Sequence, residues 1–214
     1  MTYSHVIWDW NGTLLDDLDW NIRCTNKLLE DRSLPVMADR AAYHRVFGFP
    51  IKDYYAKLGF DFDKDPYEEL AVEWTALYYG NDSTASLFPD VTAALTAFAN
   101  AGLHQSILSA SERNHLLLDL EKHGIRNCFE EILGIDDVYA GSKIHLGKEY
   151  LSRVKPQKAI LLGDTLHDKE TADSLCVDCI LVSRGHQSRQ SLLTAGCKVV
   201  GNLAEASTLI LNDA

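Results

Sequence analysis

The sequence has no apolar run near the roughly 18 residues that a membrane-spanning helix needs, although 46% of its 214 residues are hydrophobic. It has no basic region leading into an apolar core at its start, so no secretory signal is expected and the cytoplasm is the expected compartment. It also lacks any block of lysine or arginine. With 31 acidic and 20 basic residues its formal charge is −11, which repels nucleic acid and anionic membrane surfaces alike. An anionic small substrate would therefore need a locally positive site, built from a metal ion, a lysine or backbone N–H groups. The composition of a disulfide framework is absent too. Five cysteines, an odd number without a signal sequence, read as reduced thiols. Cys176 and Cys179 have the spacing of half a zinc site, but no second Cys/His pair stands nearby, so Cys179 reads as a strand residue. There is no internal repeat and no low-complexity tract.

What the chain does have begins at His5. The apolar run Val6-Ile7-Trp8 stops at Asp9, and a turn containing Gly12 follows. A buried parallel strand presents a carboxylate at its C-terminal tip in this way, at the edge where open α/β sheets bind ligands. That strand is expected over Tyr3 to Asp9 and a helix over Leu18 to Glu30. Three more helices are expected over Ala41 to Phe47, Ile51 to Leu58 and Tyr67 to Tyr79, the last with Asp65 as N-cap and Pro66 in the first helical position. No strand interrupts this helical block before about Leu87. Beyond Phe88-Pro89-Asp90 the pattern alternates. Strands are expected at His104 to Ser109, Glu131 to Leu133, Lys158 to Leu162, Cys179 to Val182 and Lys198 to Val200. Helices are expected at Val91 to Ala99, Glu112 to Lys122 behind a Ser111 cap, Leu146 to Val154 and His167 to Leu175. Strands alternating with helices of this length mean βαβ units and a parallel sheet.

Three strand ends carry polar chemistry: Asp9, Ser109 and the run Gly163-Asp164-Thr165-Leu166-His167-Asp168. In a parallel sheet these ends share one edge, and they share a crevice if their strands are neighbours. Asp9-Trp10-Asn11-Gly12-Thr13-Leu14 resembles the first motif of the haloacid dehalogenase-like hydrolases, within which the chain is most similar to phosphoglycolate phosphatase-like members. The resemblance implies a Rossmann-like three-layer core with a parallel sheet, formed by residues 1–15 and 88–214, in which the first strand lies between the second and the fourth, and a small α-helical cap formed by residues 16–87. It implies Asp9 as a nucleophile that forms an aspartyl-phosphate, and Mg²⁺ held by Asp9, the backbone carbonyl of Asn11, Asp164 and Asp168. It further implies that the Ser109 hydroxyl and the N–H groups around Ala110 bind the phosphoryl oxygens, and that a lysine neutralises phosphate and nucleophile together. Lys143 is favoured for that lysine, since it lies ahead of the expected helix, whereas Lys148 falls inside it. Aromatic residues crowd the expected cap, mostly as its core, with one or two near Gly48 facing substrate. Gly185-His186 would line the rim.

One part departs from the family pattern. The usual second aspartate of the first motif, a general acid/base, is here Asn11, which can neither give nor take a proton. Losing such a group typically costs about 10²–10⁴ in rate. An Mg²⁺-dependent phosphatase acting on a small phosphorylated metabolite is the first expectation, slowed by Asn11 or working on a good leaving group such as an acyl phosphate. A catalytically impaired protein that binds a phosphometabolite for regulation is the alternative. Dehalogenation or phosphonate cleavage, with Lys52 or Lys57 supplying a cap lysine, is a third. Restoring aspartate at position 11 is expected to raise activity by one to a few decades on the order of a general acid's contribution. Monomer and homodimer are equally open.

Overall fold

In the computed structural model, residues 3–80, 83–139 and 141–212 are described, so the outermost positions of the expected core (1, 2, 213 and 214) lie outside it. The strands are β1 (His5–Trp8), β2 (Leu15–Asp16), β3 (Ser86–Leu87), β4 (His104–Glu112), β5 (Glu131–Ile135), β6 (Ala159–Gly163), β7 (Asp178–Val182) and β8 (Lys198–Val200). The helices are α1 (Leu18–Asp31), α2 (Arg40–Val46), α3 (Ile51–Lys57), α4 (Tyr67–Tyr78), α5 (Val91–Asn100), α6 (Arg113–Lys122), α7 (Ile144–Val154), α8 (Leu166–Leu175), α9 (Arg189–Leu192) and α10 (Leu203–Asn212).

Six strands form one parallel sheet in the order β5-β4-β1-β6-β7-β8. β1 is therefore flanked by β4 and β6, with His5 opposite His104 on one side and Ala159 on the other. Side chains alternate across the pleat, and the two faces bury separate clusters. Val6, Trp8, Ile107, Leu162 and Val182 pack against α5, α6 and α10. Ile7, Leu108 and Leu161 pack against Tyr150 of α7 and Ala172 and Leu175 of α8. Helices on both faces of a parallel sheet make the α/β Rossmann-like sandwich. β1 can be apolar from Val6 through Trp8 because it is covered on both sides.

A third cluster belongs to the helical segment between β2 and β3. It gathers Leu18, Leu28 and Leu29 of α1, Tyr43 of α2, Tyr54 and Tyr55 of α3, and Leu70 of α4. This segment leaves and returns through an antiparallel ribbon in which Leu15 pairs with Leu87 and Asp16 with Ser86. The ribbon was not expected from sequence, because two residues per strand are too few to show a period. α9 and α10 were also unanticipated.

Two caps differ from expectation. α4 is N-capped by Pro66, not Asp65, because the Asp65 carboxylate is held by Arg32. α6 is N-capped by Glu112, whose carboxylate accepts from the N–H groups of Asn114 and His115, instead of by Ser111. β4 runs on to Glu112 through an irregularity after Leu108 that pairs Glu112 with Ile135, and this frees Ser111 for the site.

Arg184, just after β7, clamps the return from the helical segment. Its guanidinium lies 3.8 Å above the Phe88 ring, donates to Asp90 at 2.6 Å and donates to the Thr13 carbonyl at 2.8 Å. Asp90 in turn accepts from the Leu203 N–H at the start of α10 at 2.8 Å. Arg184→Ala is expected to lower stability by about 2 kcal/mol in urea denaturation, at the low end for breaking such a pair because Asp90 keeps some water.

Candidate active site

The parallel sheet places Asp9 and Asp164 just beyond the C-terminal tips of β1 and β6, and Ser109 in the irregular C-terminal stretch of β4, three adjacent strands. Asp9, Asp164 and Asp168 each offer a carboxylate oxygen within 4.8 Å of the others, and all three are buried. Lys143, 2% exposed, reaches in from the residue before α7 and donates to Asp9 at 2.5 Å and to Asp168 at 2.7 Å. Lys148 is exposed on α7. Thr13 Oγ1 sits between Asp9 and Asp164, 3.3 and 3.4 Å from their oxygens. Ser109 is buried, and its Oγ accepts the Ser111 N–H at 3.0 Å, which leaves the hydroxyl proton to donate elsewhere. Ala110 lines the cavity above it.

Asp168 has little freedom. Its Oδ2 accepts from the N–H groups of Asp164 and Thr165 and from the Thr165 hydroxyl, completing a capping box at the start of α8, while Oδ1 is held by Lys143. Three glycines make the close approach possible. A Cβ on Gly12 would lie 2.2 Å from Asp164 Oδ2, one on Gly185 would lie 2.1 Å from the same atom, and one on Gly163 would lie 2.3 Å from Asp168.

Burial sets the electrostatics. Desolvation, aided by the Asp168 charge, raises Asp9 to about 6 despite Lys143. Desolvation together with Asp9 and Asp168 pushes Asp164 well above the carboxylate range, against the pull of His186. Asp168 stays low because Lys143 and Thr165 outweigh its burial, and Lys143 is raised because two carboxylates outweigh its own. The set therefore carries more negative charge than Lys143 balances, and its donors are all hard oxygen. Both features suit a divalent cation of the Mg²⁺ type.

Asn11 is held on every polar atom. Its Nδ2 donates to Asp17 at 2.9 Å and to the Tyr78 hydroxyl at 2.8 Å, and its Oδ1 accepts from Ser111 at 2.8 Å. Asp17, 1% exposed, was not singled out from the sequence, since an acid ahead of Leu18 reads as a helix cap. It occupies the cap position but makes no capping bond. Its carboxylate accepts instead from Asn11, from Tyr78 at 2.7 Å, from the Gly12 N–H at 3.0 Å and from His186 Nε2 at 3.1 Å. His186 was expected only at the rim. It is buried, its N–H donates to Asp164 at 2.5 Å, and its Nδ1 bonds the Tyr43 hydroxyl at 2.7 Å. Lys52 and Lys57 are exposed and line neither this cavity nor the smaller one beside it.

Burial alone would discharge His186, but Asp17, Asp164 and Asp9 overcome it and raise its pKa to about 9. A histidine raised in the fold stabilises fully below its ordinary value of 6.5 and loses that contribution as pH rises through about 9. In chelator, the stability advantage of the parent protein over His186→Gln is therefore expected to be of order 3 kcal/mol near pH 6. It should largely vanish by about pH 10, as urea midpoints at the two pH values would show.

Comparison with known proteins identifies the family. The profile of the haloacid dehalogenase-like hydrolases matches residues 6–182. The chain is 25% identical to the tyrosine-protein kinase PtkA of Mycobacterium tuberculosis over 85% of its own length, but it spans only 62% of that protein. It is 24% identical to the phosphoglycolate phosphatase of Synechococcus elongatus, covering 89% of this chain and 88% of that one. The crystal structure of a predicted phosphatase from Clostridium acetobutylicum superposes with a TM-score of 0.82 at 20% identity, covering 99% and 100% of the two chains. The profile match spans β1 to β7 and so every strand tip that carries a site residue. The chain belongs to the haloacid dehalogenase-like hydrolase family.

Proposed function

We propose that the protein is a cytoplasmic Mg²⁺-dependent phosphatase that acts on a small phosphorylated metabolite through an aspartyl-phosphate at Asp9. The observation that carries this reading is the Asp9–Lys143–Asp168 chain beside Asp164 and Ser109 at the floor of one cavity. Asp9 attacks phosphorus, the Asp9–phosphorus bond forms as the ester bond breaks, and the leaving oxygen takes the electron pair. Lys143 keeps Asp9 charged and meets a phosphoryl oxygen, while the Ser109 hydroxyl and the Ala110 N–H donate to the others. Asp9, Asp164 and the Asn11 carbonyl would hold the cation, with Asp168 positioning Lys143 and acting on the cation directly or through water. When bound, the cation supplies charge neutralisation on the transferring phosphoryl group. No helix among the described residues is long and apolar enough to cross a membrane.

Asn11 supports a second reading, a phosphometabolite-binding protein that turns over little, because all its polar atoms are engaged and none transfers a proton. The two readings separate on turnover. Phosphate release from a metabolite panel is expected to require Mg²⁺ and to fall about 10³-fold or more in Asp9→Asn, with Asp9 trapped as its phosphate by acid quench. Tight calorimetric binding with no turnover on the panel and no labelling of Asp9 would favour the binder instead.

The engaged amide also changes the expectation for Asn11→Asp. That substitution places a second carboxylate where Asn11 Nδ2 now donates to Asp17 at 2.9 Å. Two carboxylates this close repel unless they share a proton. Asn11→Asp is therefore expected to give no gain in kcat/KM and to lower the melting temperature, with the deficit shrinking as pH falls. A tenfold rise in activity would show that the position merely lacks its acid.

A further inference from the structure

The cavity above Asp9, Ser109 and Lys143 has a volume of about 140 Å³. From the helical segment, Phe47, Phe49, Trp74 and Tyr79 line it. Lys143 is the only lysine or arginine among its described lining residues, and it is held by Asp9 and Asp168. Glu112 and Asp17 add further negative charge to the lining. His115, His167 and His186 also line it, His186 being held by Asp17 and Tyr43, so a carboxylate on the substrate would meet no lysine or arginine beyond the engaged Lys143. A second chamber of about 80 Å³ lies behind the first, shares Phe47, Ile51 and Trp74 with it, and continues between Tyr55, Tyr67 and Ala71. None of its described lining residues carries a formal charge. An apolar cavity of about 150 Å³ holds benzene, so the two joined spaces together have room for a phosphoryl group at the polar floor and a six-membered ring beyond it.

The floor imposes an independent condition. Asn11 donates both amide protons to Asp17 and Tyr78 and accepts from Ser111, so the position that usually carries the first motif's acid/base hands no proton to a departing oxygen. A phenol, with a pKa of about 10, leaves as its anion far more readily than an alkyl alcohol, whose pKa is near water's value of about 16.

We propose that the substrate is a phosphate monoester of a phenol-type hydroxyl, its uncharged ring seated against Phe47, Phe49, Trp74 and Tyr79 and pointing toward the second chamber. This rests on the phosphatase reading. The Asp9–phosphorus bond forms as the phosphorus–aryl oxygen bond breaks, the electron pair leaves on the phenolate oxygen, and the phenolate takes its proton from water after release. Water then hydrolyses the aspartyl-phosphate to inorganic phosphate. The ring carbons meet the aromatic walls, where stacking and burial favour them, while the oxygen stays at the polar floor.

The test combines kinetics and binding on the intact protein with Mg²⁺. Phenyl phosphate, benzyl phosphate, acetyl phosphate and phosphoglycolate are compared as substrates, and phenylphosphonate and methylphosphonate as ligands that do not turn over. Phenyl phosphate is expected to exceed phosphoglycolate in kcat/KM by about 100-fold or more. Benzyl phosphate, which carries the same ring on an alkoxide, should share the KM of phenyl phosphate but lose about tenfold or more in kcat. Phenylphosphonate should bind about tenfold tighter than methylphosphonate, read by calorimetry and by the fluorescence of Trp74. Equal binding of the two phosphonates overturns the proposal whatever the turnover. Hydrolysis of acetyl phosphate and phosphoglycolate with no aryl preference overturns it while leaving the phosphatase reading intact. Aryl-selective binding with no turnover of any substrate supports the ring site and removes the phosphatase reading.

Discussion

Three buried carboxylates within one hydrogen-bonded cluster are the constraint to which the rest of the structure answers. Asp9, Asp164 and Asp168 would repel one another and lose hydration if left alone. Lys143 meets two of them, at 2.5 and 2.7 Å, backbone N–H groups of Asp164 and Thr165 meet Asp168, that of His186 meets Asp164, and Thr13 Oγ1 lies between the other oxygens of Asp9 and Asp164. That arrangement dictates local sequence. Gly12, at a φ of +72°, and Gly185 stand where any Cβ would strike Asp164. Thr165 must cap α8 so that Asp168 points back at Lys143. The sheet contributes a long-range requirement, that β1 lie between β4 and β6, which sets Asp9 beside both Ser109 and Asp164.

Much of this was legible in the sequence, for a physical reason. Strands buried on both faces show as apolar runs, and a polar residue that ends such a run stands out, as Asp9 and Asp164 do. The family resemblance then supplied the strand order, which periodicity cannot. Less legible were groups whose importance comes only from packing. Asp17 looks like a helix cap, yet its carboxylate meets Gly12, Asn11, Tyr78 and His186. His186 lies in a loop after β7, 169 residues from Asp17 in sequence. Tyr78 is one aromatic among many on the helical segment, and nothing in its spacing sets it apart. The overrun of β4 to Glu112 was hidden for a similar reason: Ser111 before a helix reads as its cap until the structure shows Glu112 capping and Ser111 facing Asn11.

The Asp17 hub also joins two halves of the molecule that the hydrophobic clusters keep apart. Tyr78 comes from α4, and Tyr43, which bonds His186, comes from α2. Both hydroxyls end on groups that touch the core's first turn and its post-β7 loop. A buried anion with four donors resists the loss of any one, because the carboxylate it leaves behind stays desolvated. The helical segment is thus fastened to the core at the site itself, as well as through the β2–β3 ribbon.

Seen from this hub, Asn11 is a fitted part of the turn. An aspartate there would sit against a second carboxylate already saturated with donors, whereas an amide supplies two N–H groups toward Asp17 and Tyr78 and one oxygen toward Ser111. The same amide that fastens the helical segment therefore removes a proton donor from the floor. Fastening and proton transfer compete for one side chain, and in this chain the fastening has won. The consequence falls on the substrate: chemistry at Asp9 favours a leaving oxygen that departs without a proton from Asn11, beside the aromatic side chains of Phe47, Phe49, Trp74 and Tyr79.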